Sequence, residues 1–330
     1  MIGYYVHHHG RGHLDRALAI AAASPLPVTG LSSLPRPADW RGPWIELPLD
    51  EGDAAADAEA HGLLHWVPLH SEGLAQRMAS VATWIASVRP AVMVVDVSVE
   101  IAVQARLLGV PVVTVAVPGT RADAAHALGY GLSAAIVAAW PPDADGCLQG
   151  VPDAATGRLH PVGAISRFPP VGSSAPRSRH VLVLAGAGGD GFTPDVVDAA
   201  RRAAPEWTWR HVGGGSGTWV DDPRGALAEA AVVVTAAGQG ALAEIAAARR
   251  PAVVIPQDRP FGEQAASAAT LATGPWPAVV RDRMPEPGEW SGLLEAAASL
   301  DGARWADWND GGGAARAAEI IHRAATGGTD

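Results

Sequence analysis

Residues 236–248 read Ala236-Ala237-Gly238-Gln239-Gly240-Ala241-Leu242-Ala243-Glu244-Ile245-Ala246-Ala247-Ala248, and Pro251-Ala252-Val253-Val254-Ile255-Pro256 follow almost at once. The apolar run Val232–Thr235 precedes them. Short apolar runs bounded by turn residues read as buried strands, and the Ala-rich stretch between them as a helix. The order is strand, small-residue turn, helix, strand. Glycines let a ligand approach the backbone closely, and the open N–H groups of a helix start attract an anion. Glu244, one to two turns into the helix, is placed to accept hydrogen bonds from vicinal hydroxyls such as a ribose diol. The stretch therefore predicts a nucleotide-diphosphate site, with phosphate on Gly238, Gln239 and Gly240 and ribose on Glu244.

Further strand–helix alternation surrounds this unit. His180–Ala185 and Trp207–Val212 read as strands, and Thr193–Ala204 and Glu263–Thr273 as helices. Gly288–Ser299 and Ala314–Ala325 close the chain as helices. The Gly-rich turn holding Gly186 and Gly188 follows a strand, the place where open α/β sheets bind ligands. In the first half, Ile2–Val6, Ala91–Val97, Val110–Val117 and Ala134–Ala138 read as strands. His13–Ala23, Glu72–Val88 and Val99–Leu108 read as helices, while the Pro- and charge-rich residues 32–62 yield no clear element. Between the halves lies Gly163–Arg179, rich in Pro, Ser, Gly and Arg, which reads as a linker. The expected organisation is a first α/β domain over 1–162, a linker over 163–179 and a second α/β domain over 180–330. The last helix is a candidate to pack back on the first domain.

Composition narrows the function. The 330 residues suffice for two domains. All 24 basic residues are Arg, against 34 acidic ones, for a formal charge of −10. That balance speaks against nucleic-acid binding and leaves Arg as the charged side chain for any phosphate contact. Cys147 stands alone, so neither a disulfide framework nor a cysteine metal site is expected. The first residues show neither a basic n-region nor an apolar h-region, and the uncharged run Ala127–Pro142 is too short to span a bilayer. The expected address is the cytoplasm.

Three constellations carry chemistry. His7-His8-His9-Gly10-Arg11-Gly12-His13-Leu14-Asp15-Arg16 joins the first strand to the first helix. The turn at Gly10 and Gly12 admits a substrate, and His13 at a helix N-terminus, where a protonated imidazole is disfavoured, suits a general base. A metal site from His7, His9 and His13 is a weaker reading of the same residues, because no Cys or carboxylate ligand stands nearby in sequence. Asp96 ends a buried strand, where it either orients His13 or serves as a structural cap or ion-pair partner. Glu263 and Gln264 open a helix and either read sugar hydroxyls or merely favour the helix dipole. Asp143-Ala144-Asp145 lies in a Pro/Asp/Gly turn and reads as that turn rather than as a metal motif. Arg121 and His126 either line an acceptor pocket or lie on a helix surface.

Together these segments resemble the GT-B glycosyltransferases, especially their MurG-like branch with a family 28 type C-terminal half. Gly10 to Ala21 is similar to that branch's first glycine loop and helix, with His13 at the position of its proposed base. Val162-Gly163-Ala164-Ile165-Ser166-Arg167 is similar to its interdomain segment, whose Arg lies near the nucleotide. Trp219-Val220-Asp221-Asp222 resembles the stretch that holds uracil, and Gly238 to Glu244 the phosphate helix and ribose acid. The branch usually shows Gln-Gln where this chain has Glu263-Gln264, which leaves the donor sugar open. Arg11 and the extra histidines imply a different acceptor.

The resemblance implies two Rossmann-like domains facing a cleft. It also implies inverting, metal-independent transfer from a nucleotide-diphosphate sugar, expected to be UDP-linked, to a hydroxyl acceptor, with no cofactor required. With nine Arg against fifteen acids in residues 1–165, membrane association is expected to be weak or absent. The alternatives are a nucleotide-sugar hydrolase of the same fold, which shares the Gly-x-Gly-His-x-x-Arg start, a 2-epimerase, and a non-catalytic nucleotide-sugar-binding protein. A dehydrogenase is disfavoured, because no ribose acid follows the first glycine turn at the end of the second strand.

Overall fold

The structure is a computed structural model and describes residues 1–51, 56–172, 179–186, 191–214, 218, 220 and 222–327. Strands are β1 (Ile2–Tyr5), β2 (Val28–Ser32), β3 (Trp44–Glu46), β4 (Val92–Asp96), β5 (Val112–Ala116), β6 (Gly119–Thr120), β7 (Ala135–Ala138), β8 (Leu148–Gln149) and β9 (Leu159–Pro161) in the first half. In the second half they are β10 (His180–Ala185), β11 (Thr208–Gly213), β12 (Val232–Thr235), β13 (Ala252–Val254) and β14 (Ala278–Val280). The first sheet runs β3-β2-β1-β4-β5-β7-β9 and the second β11-β10-β12-β13-β14. Every pairing in both sheets is parallel. Both orders are those of the doubly wound fold, in which ligands sit beyond the carboxyl ends of the strands.

The sequence explains the burial. Val92–Asp96 and Val232–Thr235 are buried at every position, as strands covered by helices on both faces must be. Short Ala-rich helices lie close on these sheets; in the Gln239–Ala247 helix Leu242, Ala243, Ile245, Ala246 and Ala247 are all buried. The helix Gly313–Thr326 crosses to the first sheet, where Ala317, Ile320 and Ile321 join the core formed by Ile2, Val94 and Val113. Arg316 Nε donates to Val162 O at 2.8 Å and secures that crossing.

The segment after β9 is packed. Ala164 and Ile165 are buried, Ala164 N donates to Trp308 O and Val171 N to Ala247 O. Residues 173–178 of the Pro/Ser-rich stretch lie outside the described residues. Residues 32–62 contribute β3 and a loop that ends, for the described part, at Glu51 and resumes at Ala56. Asp143 and Asp145 lie in the 3-10 segment Pro142–Cys147, which is kinked at Ala144. Among the described residues no helix is long and apolar enough to cross a membrane.

Candidate active site

Asp96 is the last residue of β4, and Val97 immediately turns the chain with φ +65°, a conformation costly for a β-branched residue. Ser98 then caps the next helix by accepting from Ile101 N. This sharp turn holds the Asp96 carboxylate, 0% exposed, beneath the start of the first helix. That helix, Arg11–Ala23, begins after Gly10, whose φ of +85° suits glycine and which provides no side-chain cap. His13 and Arg16, three residues apart, therefore share one helix face. Both reach Asp96.

His13 Nδ1 lies 2.9 Å from Asp96 Oδ1. Arg16 donates from Nη2 to both carboxylate oxygens, at 2.8 and 3.0 Å, and from Nε to Oδ2 at 3.3 Å. Burial alone would raise the Asp96 carboxyl, but the Arg16 guanidinium and His13 outweigh it and hold it at about 2. Asp96 is thus a carboxylate at neutral pH. A charge-assisted bond to it assigns the proton of neutral His13 to Nδ1 and leaves Nε2 as the acceptor. Arg16 Nη1 also donates to Gln239 Oε1 of the second domain at 3.1 Å. One buried guanidinium therefore ties the His13–Asp96 pair to the start of the Gly238 helix.

That start faces the first-domain glycine turn: a Cβ on Gly240 would lie 3.9 Å from the Gly12 Cα. Gly238 caps its helix without a side-chain hydrogen bond, and no acid occupies the first turn. Open N–H groups at such an end suit an anion. A cavity of about 420 Å³ opens here. It brings together Gly10, Gly12, His13, Arg167, Gly186, Val220, Gly238, Gln239, Gly240, Glu244, Glu263 and Gln264, although they come from both halves of the chain. Gly188 and Trp219 lie outside the described residues.

Arg167 and Glu244, expected to serve phosphate and ribose separately, meet each other. Arg167 Nε donates to Glu244 Oε1 at 2.7 Å, a charge-assisted bond that fixes both groups at the cavity wall. Burial raises the Glu244 carboxyl and Arg167 opposes that rise. Gln264 is buried and accepts from Gln257 N at 2.9 Å, so its side chain braces the loop before its own helix.

A second cavity, about 690 Å³, lies on the first-domain side and shares His13 and Glu263 with the first. Histidines, aromatic rings and carboxylates line it, among them His65, Trp66, Phe261, Glu51 and Glu100. Arg121 and His126, whose placement the sequence left open, are both buried and line it. Asp123 accepts from His126 Nδ1 and lies 3.1 Å from His65 Nε2. The histidine run curls at the mouth, where His9 N donates to His7 Nδ1 at 3.1 Å, and His8 and His9 share Glu51 Oε1 at 3.3 and 3.0 Å. Three imidazoles within metal-ligand reach of one another are His7, His8 and His9, without His13. Glu51 is the carboxylate that sequence distance had hidden.

Arg16, Gln257 and Arg259 also line the cavity at Gly12 and Gly240, and of these Gln257 and Arg259 were not singled out from the sequence. Arg16 carried a usable signal, its i,i+3 spacing from His13. The loop residues near His65 and Phe261 carried none, since no periodic element contains them.

Residues 217–282 match the model of the glycosyltransferase family 28 C-terminal domain, a span that holds the Gly238 helix, Glu244, Glu263 and Gln264. No curated protein matches the chain significantly. The chain is similar in structure to the glycotransferase of kitacinnamycin, with TM-score 0.68 and 17% identity over 98% of each chain. It is similar to MurG of Acinetobacter baumannii, with TM-score 0.65 and 15% identity over 98% of this chain and 99% of that one. It is also similar to Arabidopsis thaliana UGT89C1, solved with UDP, with TM-score 0.65 and 14% identity over 98% and 99%. The fold is that of the GT-B glycosyltransferases. Its architecture is MurG-like, with two Rossmann-like domains, the second of which holds the matched segment 217–282.

Proposed function

We propose that this protein transfers a sugar from a UDP-sugar to an acceptor hydroxyl, with inversion and without a metal ion. The carrying observation is that His13 stands at the junction of the two cavities with Nδ1 committed to Asp96. His13 Nε2 takes the proton of the acceptor hydroxyl, whose oxygen attacks the anomeric carbon as the bond to the diphosphate breaks on the opposite face. Asp96 and Arg16 are positioning residues: they orient His13, and Asp96 stabilises the imidazolium that forms. The leaving diphosphate gathers negative charge at the open helix end of Gly238–Gly240, with Arg167 alongside. Preorganised donors of this kind stabilise such charge without a cation. Glu244 accepts the ribose hydroxyls, Val220 lies against the base, and Glu263 and Gln264 read the sugar. UDP in the UGT89C1 structure supports the choice of nucleotide.

The volume of the first-domain cavity favours transfer over hydrolysis, since about 690 Å³ accommodates a drug-sized acceptor where a hydrolase needs only water. The acid-rich first domain, with nine Arg against fifteen acids over residues 1–165, supports a dissolved acceptor over one held on anionic lipid.

The test is calorimetry with UDP, dTDP, GDP and ADP, with and without magnesium, on the wild type and on His13→Ala and Glu244→Gln. The expected result is UDP binding that ignores magnesium, survives His13→Ala and weakens in Glu244→Gln. Release of UDP from a UDP-sugar is expected to disappear in His13→Ala. Absence of nucleotide binding would overturn the reading.

A further inference from the structure

The short segment Gln257–Gln264, which runs through a 3-10 turn at Pro260–Gly262 into the helix that starts at Glu263, touches both cavities. Gln257, Arg259, Glu263 and Gln264 face the nucleotide side, while Pro260, Phe261 and Glu263 face the first-domain side. Phe261 is the outlier in it. Its φ of +59° and ψ of 16° place an aromatic residue in the left-handed region, and Gly262 follows in the same region at φ +64°. A bulky residue holds such a conformation only when its surroundings over-determine it, and these outliers concentrate at ligand clamps.

The surroundings here belong to the other domain. The Phe261 ring meets His126 edge-on at 4.8 Å and His65 at 5.5 Å between centroids. The Arg121 guanidinium carbon lies 4.7 Å from the ring centre. Beneath it, Gly119 has φ +119°, and a Cβ there would come within 2.5 Å of Phe261 O. The first domain thus offers a glycine where the Phe261 backbone sits and a cation and two imidazoles where its ring sits. Yet Phe261 is 41% exposed and lines the cavity.

We propose that Phe261 is a positioning residue for the acceptor, carried by the nucleotide-binding domain. The loop passes occupancy of the sugar subsite at Glu263 and Gln264 to the His65–His126 wall of the acceptor cavity. The inference rests on the donor-site reading above and deepens it. A sugar held by Glu263 and Gln264 loads the start of their helix, Gln264 accepts from Gln257 N at the other end of the segment, and Phe261 lies between. The acceptor cavity then has its complete wall only when the nucleotide domain supplies it. The coupling acts through a packed two-domain contact rather than through a shared ligand.

The experiment follows the imidazole signals of His65 and His126 by ¹H–¹³C NMR of the full chain during UDP-glucose titration. The signals are assigned with His65→Gln and His126→Gln, and binding is measured in parallel by calorimetry. In the wild type, saturation is expected to move both signals, because the ring current of Phe261 falls off steeply over the distances involved. In Phe261→Leu and Gly119→Ala, UDP-glucose is expected to bind within about threefold of wild type while the two signals stay in place. The inference is overturned by wild-type signals that do not respond at saturation, or by the same response in Phe261→Leu. A chain that gives no heat with either UDP or UDP-glucose fails earlier, at the donor-site reading, and takes the coupling with it.

Discussion

Replacing Asp96 by Asn separates what the buried ion pair does for stability from what it does for catalysis. The substitution keeps the shape and removes the charge. Arg16, 6% exposed, directs Nε and Nη2 at the two carboxylate oxygens, so whichever position the new amide NH₂ takes, it opposes a guanidinium N–H. A buried charge left without its partner costs about 3–5 kcal/mol, a large share of the 5–15 kcal/mol that holds a typical domain. His13 meanwhile loses the carboxylate that keeps its proton on Nδ1, and Arg16 Nη2, already 3.1 Å from that nitrogen, donates to it instead. The proton moves to Nε2, which can then no longer serve as a base. The rate is expected to fall by about 10²–10⁴-fold, the usual worth of general-base catalysis. Urea unfolding measures the first effect, and UDP release together with the ¹⁵N shifts of the His13 ring measures the second. Adding Arg16→Met is expected to restore most of the stability, because an apolar replacement of a buried ion pair is close to neutral, while activity stays lost. An Asp96→Asn variant that loses less than about 1 kcal/mol and keeps the wild-type His13 tautomer would refute the assignment.

Other outcomes follow from the same geometry. Glu244→Gln, which keeps the shape toward Arg167 but weakens charged bonds to a ribose diol, is expected to raise the UDP dissociation constant about 10- to 150-fold, with EDTA without effect on either protein. His7 is held at about 3, against the ordinary 6.5, chiefly by burial and then by His13, His8 and His9. Between those values the unfolded chain binds a proton that the fold refuses, so this stability is whole above pH 6.5 and drains as pH falls toward 3. His7→Gln is expected to remove about 2 kcal/mol of the loss seen between pH 7 and pH 5 in urea titrations. Ile321→Ala, at a site 2% exposed in the core beneath the first sheet, is expected to cost about 2–5 kcal/mol. The same variant is expected to speed exchange of the β1 and β4 amides, so a loss of protection confined to the second domain would contradict the crossing seen for the last helix.

Much of this molecule was legible in one dimension because its signals are local. Apolar runs such as Val232–Thr235 can be satisfied only as strands covered on both faces, and glycine before an Ala-rich stretch marks a strand-to-helix turn with open N–H groups. Spacing along one helix was enough to put His13 at the first helix start, and Glu244 one to two turns into its own. Tertiary structure decided what depends on distance between elements. It joined Arg167 to Glu244 across 77 residues and Arg16 to Gln239 across 223. It gave the histidine run a carboxylate partner in Glu51, and brought Phe261 onto a wall built from the first domain. The physical reason is range. Backbone propensity and side-chain periodicity act within a turn or a strand, whereas the pairing of a buried charge and the packing of a ring are set by whichever surfaces the folded sheets bring together.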